Sequence, residues 1–488
     1  MTLQKLPATL YRTEQVRELD RIAIQDFAIA GLELMQRAAC AVFQQLKNKW
    51  PKAKSVAIFC GGGNNGGDGY IVARLALEAG LKVSVYSLTD VDKLSADALT
   101  AYQSFREAQG VITVFQGDQI IVDVIVDALL GSGLDRPVTG LYAMAIERIN
   151  QSLAPVLAVD NPSGLNTDTG TVMGCAVKAD CTVTFIALKQ GLFTGQAADY
   201  CGEIRYADLA LPAAVFKALS PSAVRVIKTP LAPRVRYSHK GDFGHVLIVG
   251  GDFGYSGAAR LAGEAALRIG AGLVSIATRP AHAVLMNVGR PELMCHGVEN
   301  AEHLAVLLEK ASVVVIGPGL GQSDWAKALF ESVLQSQKPL IIDADALNLL
   351  AQKPSMNNNW ILTPHPGEAA RLLQCSTAEI QEDRFAAVLA LQNKYKGVVL
   401  LKGAGTLIAS SMECAVSTTG NPGMASGGMG DVLAGVIAGL LAQGLDLKEA
   451  AQQGALGHGW AADLAAGRDG ERGLLASDLM AYLRQWSG

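Results

Sequence analysis

The sequence predicts an α/β protein of two domains, each built on a mostly parallel sheet flanked by helices. Apolar strand-like segments alternate with helix-like segments between about residues 54 and 160, and the alternation resumes near residue 245. In both halves a glycine-rich turn joins the first strand to the next helix. Apolar strands that alternate with helices indicate parallel sheets that are covered on both faces.

The first half begins with two helices, because residues 13–46 carry apolar residues at helical spacing that is interrupted near Gly31. The pattern then predicts, in order, strand 54–60, turn 61–69, helix 70–80, strand 82–88, helix 95–109, strand 111–115, strand 120–129, helix 141–152 and strand 154–160.

The second half repeats this pattern. Its predicted strands begin at residues 245, 273, 312, 339, 360 and 398, with a helix at 257–270 and a helix-rich stretch at 427–488. Between about residues 212 and 240 the pattern lapses into a segment with four prolines and no glycine, which is typical of a connection. We therefore predict domains at 1–215 and 227–488, joined by a linker at 216–226.

The composition agrees with globular domains. The chain has 488 residues, of which 50% are hydrophobic and 18% charged, so each domain can bury a substantial core. The net charge of −4 argues against nucleic acid or an anionic membrane as the main partner. The N-terminus lacks the apolar segment of a secretory signal, and polar residues or glycines interrupt the long apolar stretches. We expect a cytoplasmic protein.

The eight cysteines show neither a CxxC pair nor regular spacing. Several lie in apolar runs, as Cys60 does in SVAIFC. This distribution predicts small buried side chains in a reducing compartment, and neither a disulfide framework nor a zinc site.

The glycine turn of the first half satisfies GxGxxG through Gly61, Gly63 and Gly66, and Asp90 ends the next strand. This spacing formally matches the dinucleotide-binding fingerprint, although any tight strand-to-helix turn favours glycine. Two asparagines and Asp68 crowd the point where a diphosphate would approach the helix. Asp68 would repel phosphate there, but it would suit hydroxyl groups or a cation.

Two more loops of the first half begin with an acid at a strand end, Asp127 in 127–140 and Asp160 in 159–170. The ends of parallel strands meet at one edge of a sheet, where ligands bind. Asn65, Asp127 and Ser163 are therefore candidate oxygen ligands for a cation. For each residue alone, an Asx turn or a helix cap is the alternative.

Three motifs, NNGGDGY, DALLGSGLDRP and VDNPSG, resemble in order and spacing the NAD(P)HX epimerase domain of the NAD(P)H-hydrate repair enzymes. The resemblance covers about residues 12–215. It implies a Rossmann-like domain that interconverts the R and S forms of hydrated NADH and NADPH, which carry a hydroxyl at C6 of the nicotinamide ring. The implied potassium ligands are Asn65, Asp127 and Ser163. The residues implied to contact the substrate are Asn64, Asn65, Gly66, Gly67, Asp68, Gly131, Ser132, Gly133, Leu134, Asp135, Arg136, Pro137 and Asp160.

Asp160 is the candidate acid/base group, because epimerisation at C6 requires a proton or hydroxyl to leave and return. Lys189 is a candidate assistant, and a solvated lysine is the alternative.

The second half contains no GxxxxGK[ST] motif, so a P-loop is excluded. In SGGMGD the glycines 427, 428 and 430 free backbone N–H groups at a helix start, where they can hold an anion. Asp431 would then lie beside the bound phosphate. A general base for a hydroxyl that attacks phosphorus explains a carboxylate at that point, and a helix cap is the alternative.

Further loops follow strands of this half. They are GPGLG at 317–321, TPHPGE at 363–368 and KGAGT at 402–406. His365 stands between two prolines in a stiff extended segment. Asp343 and Asp345 lie in DADALN, and either of them can be a helix cap.

These motifs resemble the ribokinase-like superfamily and, more closely, the ADP- or ATP-dependent NAD(P)H-hydrate dehydratase domain over about residues 227–488. The resemblance implies that the hydrate contacts Ala258, Gly319, His365 and Asp431. It implies that the nucleotide contacts Lys402, Gly403, Ala404, Gly405, Thr406 and Gly430.

The implied chemistry resembles a kinase reaction. Asp431 activates the C6 hydroxyl of the S hydrate, ADP (or ATP) phosphorylates it, and phosphate leaves to restore NADH or NADPH. With ADP the other product is AMP, and Mg²⁺ is expected from phosphoryl-transfer chemistry. The resemblance to this family also implies a homo-oligomer.

Three alternatives compete with this interpretation. The first is a small-molecule kinase fused to an unrelated binding domain, which leaves the first half unexplained. The second is a non-catalytic nucleotide sensor, which has no use for Asp160 and Asp431. The third is a conventional dehydrogenase, which Asn64, Asn65 and Asp68 disfavour.

Overall fold

The computed structural model describes residues 5–117 and 119–488. Its contacts divide the chain into two compact units, with the division between Val224 and Arg225. This point lies inside the stretch 216–226 that the sequence assigns to the linker. That stretch also contains a short strand, Ala223–Arg225, which the sequence pattern does not indicate. It pairs antiparallel with Thr9–Tyr11, so its pairing depends on residues more than 200 positions earlier in the chain.

The helices and strands of the N-terminal unit include all those predicted from the alternation. The helices are α1 (Thr13–Gln25), α2 (Gly31–Lys49), α3 (Asn64–Glu78), α4 (Ala96–Glu107), α5 (Gly140–Gln151), α6 (Ala197–Tyr200) and α7 (Ala213–Lys217). The strands are β1 (Thr9–Tyr11), β2 (Ser55–Cys60), β3 (Lys82–Ser87), β4 (Ile112–Val114), β5 (Val124–Ala128), β6 (Val156–Val159), β7 (Cys181–Phe185), β8 (Leu188–Lys189), β9 (Glu203–Ala207) and β10 (Ala223–Arg225).

Seven strands of this unit form one parallel sheet in the order β4-β3-β2-β5-β6-β7-β9. The strand order reverses between β2 and β5, as in Rossmann folds. The predicted α/β class is therefore confirmed for this unit. Ligands of such sheets bind in the crevice at the carboxyl ends of the two strands that flank the reversal. That crevice receives the loops after Cys60 and Ala128.

The glycine turn after β2 is shorter than predicted. The sequence pattern assigns residues 61–69 to the turn, but α3 already begins at Asn64. The physical reason is close packing of the chain. A Cβ on Gly61 would lie 1.9 Å from the Leu129 carbonyl oxygen, and one on Gly66 would lie 1.9 Å from the Gly61 carbonyl oxygen. These glycines let the first turn of the helix lie directly against the strand ends.

The C-terminal unit is larger. Its helices are α8 (Ser256–Ile269), α9 (Pro280–Met286), α10 (Ala301–Lys310), α11 (Asp324–Gln335), α12 (Ala344–Gln352), α13 (Pro366–Leu373), α14 (Thr377–Glu382), α15 (Arg384–Tyr395), α16 (Met429–Ala442), α17 (Leu447–Asp469) and α18 (Leu479–Ser487). Its strands are β11 (His245–Val249), β12 (Leu273–Thr278), β13 (Met294–Gly297), β14 (Val313–Ile316), β15 (Leu340–Ile342), β16 (Trp360–Leu362), β17 (Val398–Leu401), β18 (Thr406–Ala409) and β19 (Cys414–Ser417).

The sheet of this unit has the order β13-β12-β11-β14-β15-β16-β17-β18-β19. Strands β11 to β17 are parallel, and β18 and β19 add an antiparallel edge. The order reverses between β11 and β14, so the loops after these strands flank a second crevice. The predicted α/β class is confirmed here too.

All eight cysteines are free thiols. Within residues 5–117 and 119–488, no helix combines the length and the apolar character that crossing a membrane requires.

Two candidate active sites

The first candidate site is a cavity of about 650 Å³ in the N-terminal unit. It lies at the strand-order reversal, where the sequence predicts the site. The predicted residues that line it are Asn64, Asn65, Asp68, Gly131, Ser132, Gly133, Leu134, Asp135, Arg136 and Asp160. Gly66 and Gly67 are instead buried in α3, and Pro137 is exposed beside the cavity.

Asp160 has the left-handed φ of 67° immediately after β6, which turns the chain into the cavity edge. Its carboxylate forms an ion pair with the ammonium of Lys189. The Lys189 side chain is only 1% exposed, and it also donates to Thr184 Oγ1 at 3.0 Å and to the Phe185 carbonyl at 3.1 Å. A solvated Lys189, the alternative that the sequence left open, is therefore wrong.

The three predicted cation ligands converge on residues 129–131. Ser163 Oγ donates to Asp127 Oδ1 at 2.6 Å and accepts the Leu130 N–H at 2.8 Å. Burial raises the pKa of Asp127 to about 6, against the lowering effect of its hydrogen bonds from Ser163. A Cβ on Gly131 would lie 3.3 Å from the Asn65 Cβ, which places Asn65 against the same loop.

The side chain of Asn65 is unusual because it is only 9% exposed and neither its oxygen nor its nitrogen has a hydrogen-bond partner. A buried amide without partners costs free energy, so such groups normally have a ligand or water. The amide, carboxylate and hydroxyl oxygens of Asn65, Asp127 and Ser163 are the donor types that hard cations prefer. This donor set fits a cation.

Two further acidic side chains line the cavity: Asp68, which the sequence predicts, and Asp20, which it does not. Burial raises the pKa of Asp68 well above its ordinary range, and the charges of Asp160 and Asp20 raise it further. Asp20 lies on α1 and lines the cavity together with Arg17. The sequence motifs do not single out either α1 residue. Their i, i+3 spacing on an amphipathic helix was the only available signal, and it does not say what the helix faces.

The second candidate site surrounds the start of α16 in the C-terminal unit. Gly428 has a left-handed φ of 91° and precedes the first helical residue, Met429. Asp431 lies in the first turn, as predicted. Burial raises the pKa of Asp431 to about 7, with a further contribution from Asp343 that exceeds the opposing effect of Lys402. A carboxyl with this pKa can exchange a proton near neutral pH.

Lys402 brings several of the predicted elements together. Its ammonium lies 2.9 Å from Asp343 Oδ1 and 3.8 Å from Glu368 Oε2. A Cβ on Gly430 would lie 3.3 Å from the same ammonium. Burial acts to lower the pKa of Lys402, but Asp343 and Glu368 overcome that effect and raise it. The lysine is therefore a fixed cation beside the start of α16.

Neither Asp343 nor Asp345 caps a helix with its side chain. Asp343 is 1% exposed and accepts from Lys402 and, at 2.7 Å, from Thr363 Oγ1. Asp345 Oδ2 accepts the N–H of Gly321 at 2.8 Å, which fixes the loop after β14. The question that the sequence left open is thus resolved, since both carboxylates support the site.

His365 precedes α13, where its Nδ1 accepts the Gly367 N–H at 3.0 Å. Its Nε2 lies 3.4 Å from Glu368 Oε1. Partial burial lowers the pKa of His365, and the nearby Lys402 lowers it further. The imidazole is half exposed and lies beside the same cation as Asp343.

Gly319 and Ala258 lie side by side at the strand-order reversal. A Cβ on Gly319, which has a φ of 57°, would lie 3.2 Å from the Ala258 Cβ and 2.5 Å from the Tyr255 carbonyl oxygen. Only glycine fits this approach. The charge of Asp345, which holds the same loop, also raises the pKa of Asp431.

Arg384, which the sequence motifs do not single out, holds the start of the loop Lys402–Thr406. Arg384 is buried and donates to the carbonyl groups of Leu401 and Lys402, each at 3.3 Å. Thr406 Oγ1 closes the loop by donating to the Gly403 carbonyl at 2.9 Å. The exposed side of Gly403 and Ala404 leaves backbone accessible to a ligand. Within the described part of the chain, no three His, Cys, Asp or Glu side chains form a metal-binding group.

The two doubly wound folds, the acid-lined cavity and the cluster around Asp431 define a two-domain α/β enzyme. The chain is 52% identical over 482 residues to the bifunctional NAD(P)H-hydrate repair enzyme Nnr of Coxiella burnetii, which covers 97% of this chain and 98% of that protein. It therefore belongs to the family of bifunctional NAD(P)H-hydrate repair enzymes. The resemblance that the motifs indicate is confirmed.

Other comparisons agree with this family. The enzyme of the same name from Escherichia coli K12 is 44% identical over 488 residues, with 98% of this chain and 94% of that protein covered. The NAD(P)H-hydrate dehydratase model matches residues 246–485, and the YjeF-related N-terminus model matches residues 31–191. Membership in this family decides against the sensor, the dehydrogenase and the fused-kinase alternatives.

Among solved structures, the chain is similar to a Bacillus subtilis protein described as an ADP/ATP-dependent NAD(P)H-hydrate dehydratase co-crystallised with ATP and Mg²⁺. The two are 32% identical, the TM-score is 0.49, and the match covers 52% of this chain and 93% of that one.

Proposed function

We propose that the N-terminal cavity exchanges the R and S hydrates of NADH and NADPH, and that the C-terminal site dehydrates the S hydrate at the expense of ADP. ATP is the alternative nucleotide. The family membership supports the pairing of these two activities in one chain.

In the cavity, Asp160 is the acid/base group. Exchange at C6 requires the hydroxyl to leave one face of the ring and water to return to the other, and both steps move a proton. The ion pair with Lys189 keeps Asp160 in one position at the cavity wall. The R hydrate that the second site cannot use is in this way converted into the S hydrate.

Asn65, Asp127 and Ser163 are proposed to hold a potassium ion. The unpartnered amide of Asn65 supports this assignment, because it supplies an oxygen that nothing else in the described structure satisfies. A bound potassium ion would supply a single positive charge beside the substrate. Asn64, Asp68 and the loop 131–137 are proposed to contact the hydrate.

In the C-terminal site, Asp431 is the general base. It removes the proton of the C6 hydroxyl while the hydroxyl oxygen takes the terminal phosphoryl group of ADP, and AMP leaves. The phosphorylated carbon then loses phosphate from C6 and a proton from C5, which restores the dihydropyridine of NADH or NADPH. Phosphorylation turns a poor leaving group into a good one.

The nucleotide is proposed to lie along Lys402, Gly403, Ala404, Gly405 and Thr406, with its terminal phosphate at Gly430 and the helix N-terminus. Mg²⁺ is expected to bind through the nucleotide phosphates, where it would neutralise charge during the transfer. Ala258, Gly319 and His365 are proposed to contact the hydrate. The homo-oligomer that the resemblance implies stays a prediction for light scattering of the full chain.

One observation carries the proposal for the second site. Asp431 combines a pKa of about 7 with a place in the first turn of α16, beside the fixed cation Lys402. The test mixes the full chain with R and S hydrates, with and without ADP and Mg²⁺, and follows reduced nicotinamide. Complete recovery with ADP supports both activities. Recovery that stops when the S form is exhausted contradicts the epimerase, and no recovery with ADP or ATP contradicts the dehydratase.

A further inference from the structure

Arg17 stands on the wall of the N-terminal cavity, in a part of the chain that neither family model covers. Helix α1 buries Val16, Leu19, Ile22 and Ala23 against the core. The face formed by Arg17, Asp20 and Ile24 lines the cavity instead. Thr13 fixes the start of the helix, since its N–H and Oγ1 donate to Asp168 Oδ1 at 2.6 and 2.8 Å. The position of Arg17 is therefore set by the fold.

The guanidinium of Arg17 reaches the loop 131–136. Its Nη2 lies 2.9 Å from the place that a Cβ on Gly133 would take, so the missing side chain leaves room for it. Within the described residues, the guanidinium of Arg17 makes no hydrogen bond or ion pair. A cation that lies against a ligand loop without an acidic partner has its five N–H donors available to a ligand.

The charges of the cavity favour a free cation such as this arginine for a polyanionic substrate. Five aspartic acid side chains line the cavity, namely Asp20, Asp68, Asp97, Asp135 and Asp160, and of these Asp68 has a strongly raised pKa. The three cations are Arg17, Arg136 and Lys189, and Lys189 is paired with Asp160. The hydrate of NADH carries a diphosphate and that of NADPH a further phosphate. An acid-rich wall would repel these groups unless free cations meet them.

We propose that Arg17 is a specificity-determining residue of the epimerase site, which binds a phosphate group of the hydrate with its guanidinium fork. Guanidinium matches phosphate geometry with two parallel hydrogen bonds, which an ammonium cannot provide. The inference rests on the proposed epimerase function. It assigns to α1 the recognition of the nucleotide portion of the substrate, away from the chemistry at Asp160.

The test measures the conversion of R hydrate to S hydrate by the full chain without nucleotide, for Arg17→Gln and for the matched control Arg21→Gln. Arg21 lies one turn further along α1, is exposed, pairs with Glu18 and does not line the cavity. We expect KM to rise about tenfold for Arg17→Gln, with kcat nearly unchanged, because a lost hydrogen bond to a charged group is worth at least that factor in affinity.

The two substrates separate the two phosphate sources. A rise in KM for both NADHX and NADPHX assigns Arg17 to the diphosphate, and a rise for NADPHX alone assigns it to the additional phosphate. Arg17→Lys is expected to retain part of the affinity, since it keeps the charge and loses the fork. Equal KM values in Arg17→Gln and Arg21→Gln overturn the inference, as does a loss confined to kcat. A wild-type chain without epimerisation contradicts the proposed function instead.

Discussion

The ammonium of Lys402 lies 2.9 Å from Asp343 Oδ1, and the start of α16 with Asp431 lies beside this pair. Asp343 directly follows strand β15 and Lys402 directly follows strand β17, so the two charges meet at the carboxyl edge of the sheet. The pair acts on Asp431 in two directions, because Asp343 raises its pKa and Lys402 lowers it. The balance, together with burial, leaves the pKa of Asp431 at about 7.

The first prediction concerns the pH dependence of dehydration. A general base must be ionised, so kcat/KM should rise with pH as Asp431 loses its proton, with half the plateau reached at about pH 7. Asp343→Asn removes a negative charge that raises the pKa of Asp431. The acid limb of the profile should therefore move to lower pH. The measurement is kcat/KM for the S hydrate with ADP between pH 5 and 9, scaled to the plateau of each variant.

Asp345→Asn is the matched control for this profile. Asp345 also raises the pKa of Asp431, but its contribution is the smallest of the four. The expected shift has the same direction and is smaller. An acid limb that stays at the wild-type pH in Asp343→Asn would mean that another group controls the profile.

The second prediction separates binding from chemistry in the C-terminal unit. Asp431→Asn keeps the size of the side chain but cannot accept the proton of the hydroxyl. Dehydration of the S hydrate should fall by about 10²- to 10⁴-fold, the usual contribution of a general base. Calorimetry should find ADP binding at near wild-type affinity, and R/S exchange should be unchanged. Substantial remaining dehydration would remove Asp431 from the mechanism.

The third prediction concerns the buried pair of Lys189 and Asp160. Lys189→Met leaves the Asp160 carboxylate, which is 14% exposed, without its ammonium partner. Breaking a fully buried pair in this way costs about 3–5 kcal/mol, which is the upper bound here. The double variant Asp160→Asn/Lys189→Met removes both charges and should be less destabilised than Lys189→Met alone. Hydrogen exchange of the β7 amides reports this locally. A double variant that exchanges faster than the single lysine variant would contradict the argument.

The sequence contained enough information for the architecture and for much of the site. Alternating apolar strands and helices predict the parallel sheets, and the rule for strand ends predicts which loops meet. Asp127, Ser163 and the loop 129–131 come together because their strands are neighbours. The same rule predicts the cluster of Lys402, Gly430 and Asp431, because Lys402 follows a strand and the other two residues lie at a helix start.

Other features depend on packing that no local pattern records. The place of Lys189, buried against Asp160, depends on a turn after β7 that the periodicity does not describe. Arg17 and Arg384 look like ordinary helix residues in the sequence, yet Arg17 lines the cavity and Arg384 donates to the backbone at the start of the loop 402–406. The start of α3 at Asn64 was also missed, because glycines usually break helices and here they permit close packing.

The last prediction concerns Asn65 and potassium. Its buried amide has no partner in the described structure, so without a cation it should destabilise the first turn of α3 by about 1–3 kcal/mol. Asn65→Leu removes the amide and roughly keeps the shape. In choline chloride the α3 amides of this variant should exchange hydrogen no faster than those of wild type. In potassium chloride, wild type should gain protection and the variant should gain none.

The control is Asn150→Leu, since the Asn150 amide is hydrogen-bonded to the Ala176 carbonyl and the Lys178 N–H, at 2.9 and 2.8 Å. It should lose protection at Lys178 equally in both salts, because no cation is involved there. Faster exchange of α3 in Asn65→Leu in choline chloride would show that the amide is satisfied by the protein itself, and the potassium assignment would then lose its support.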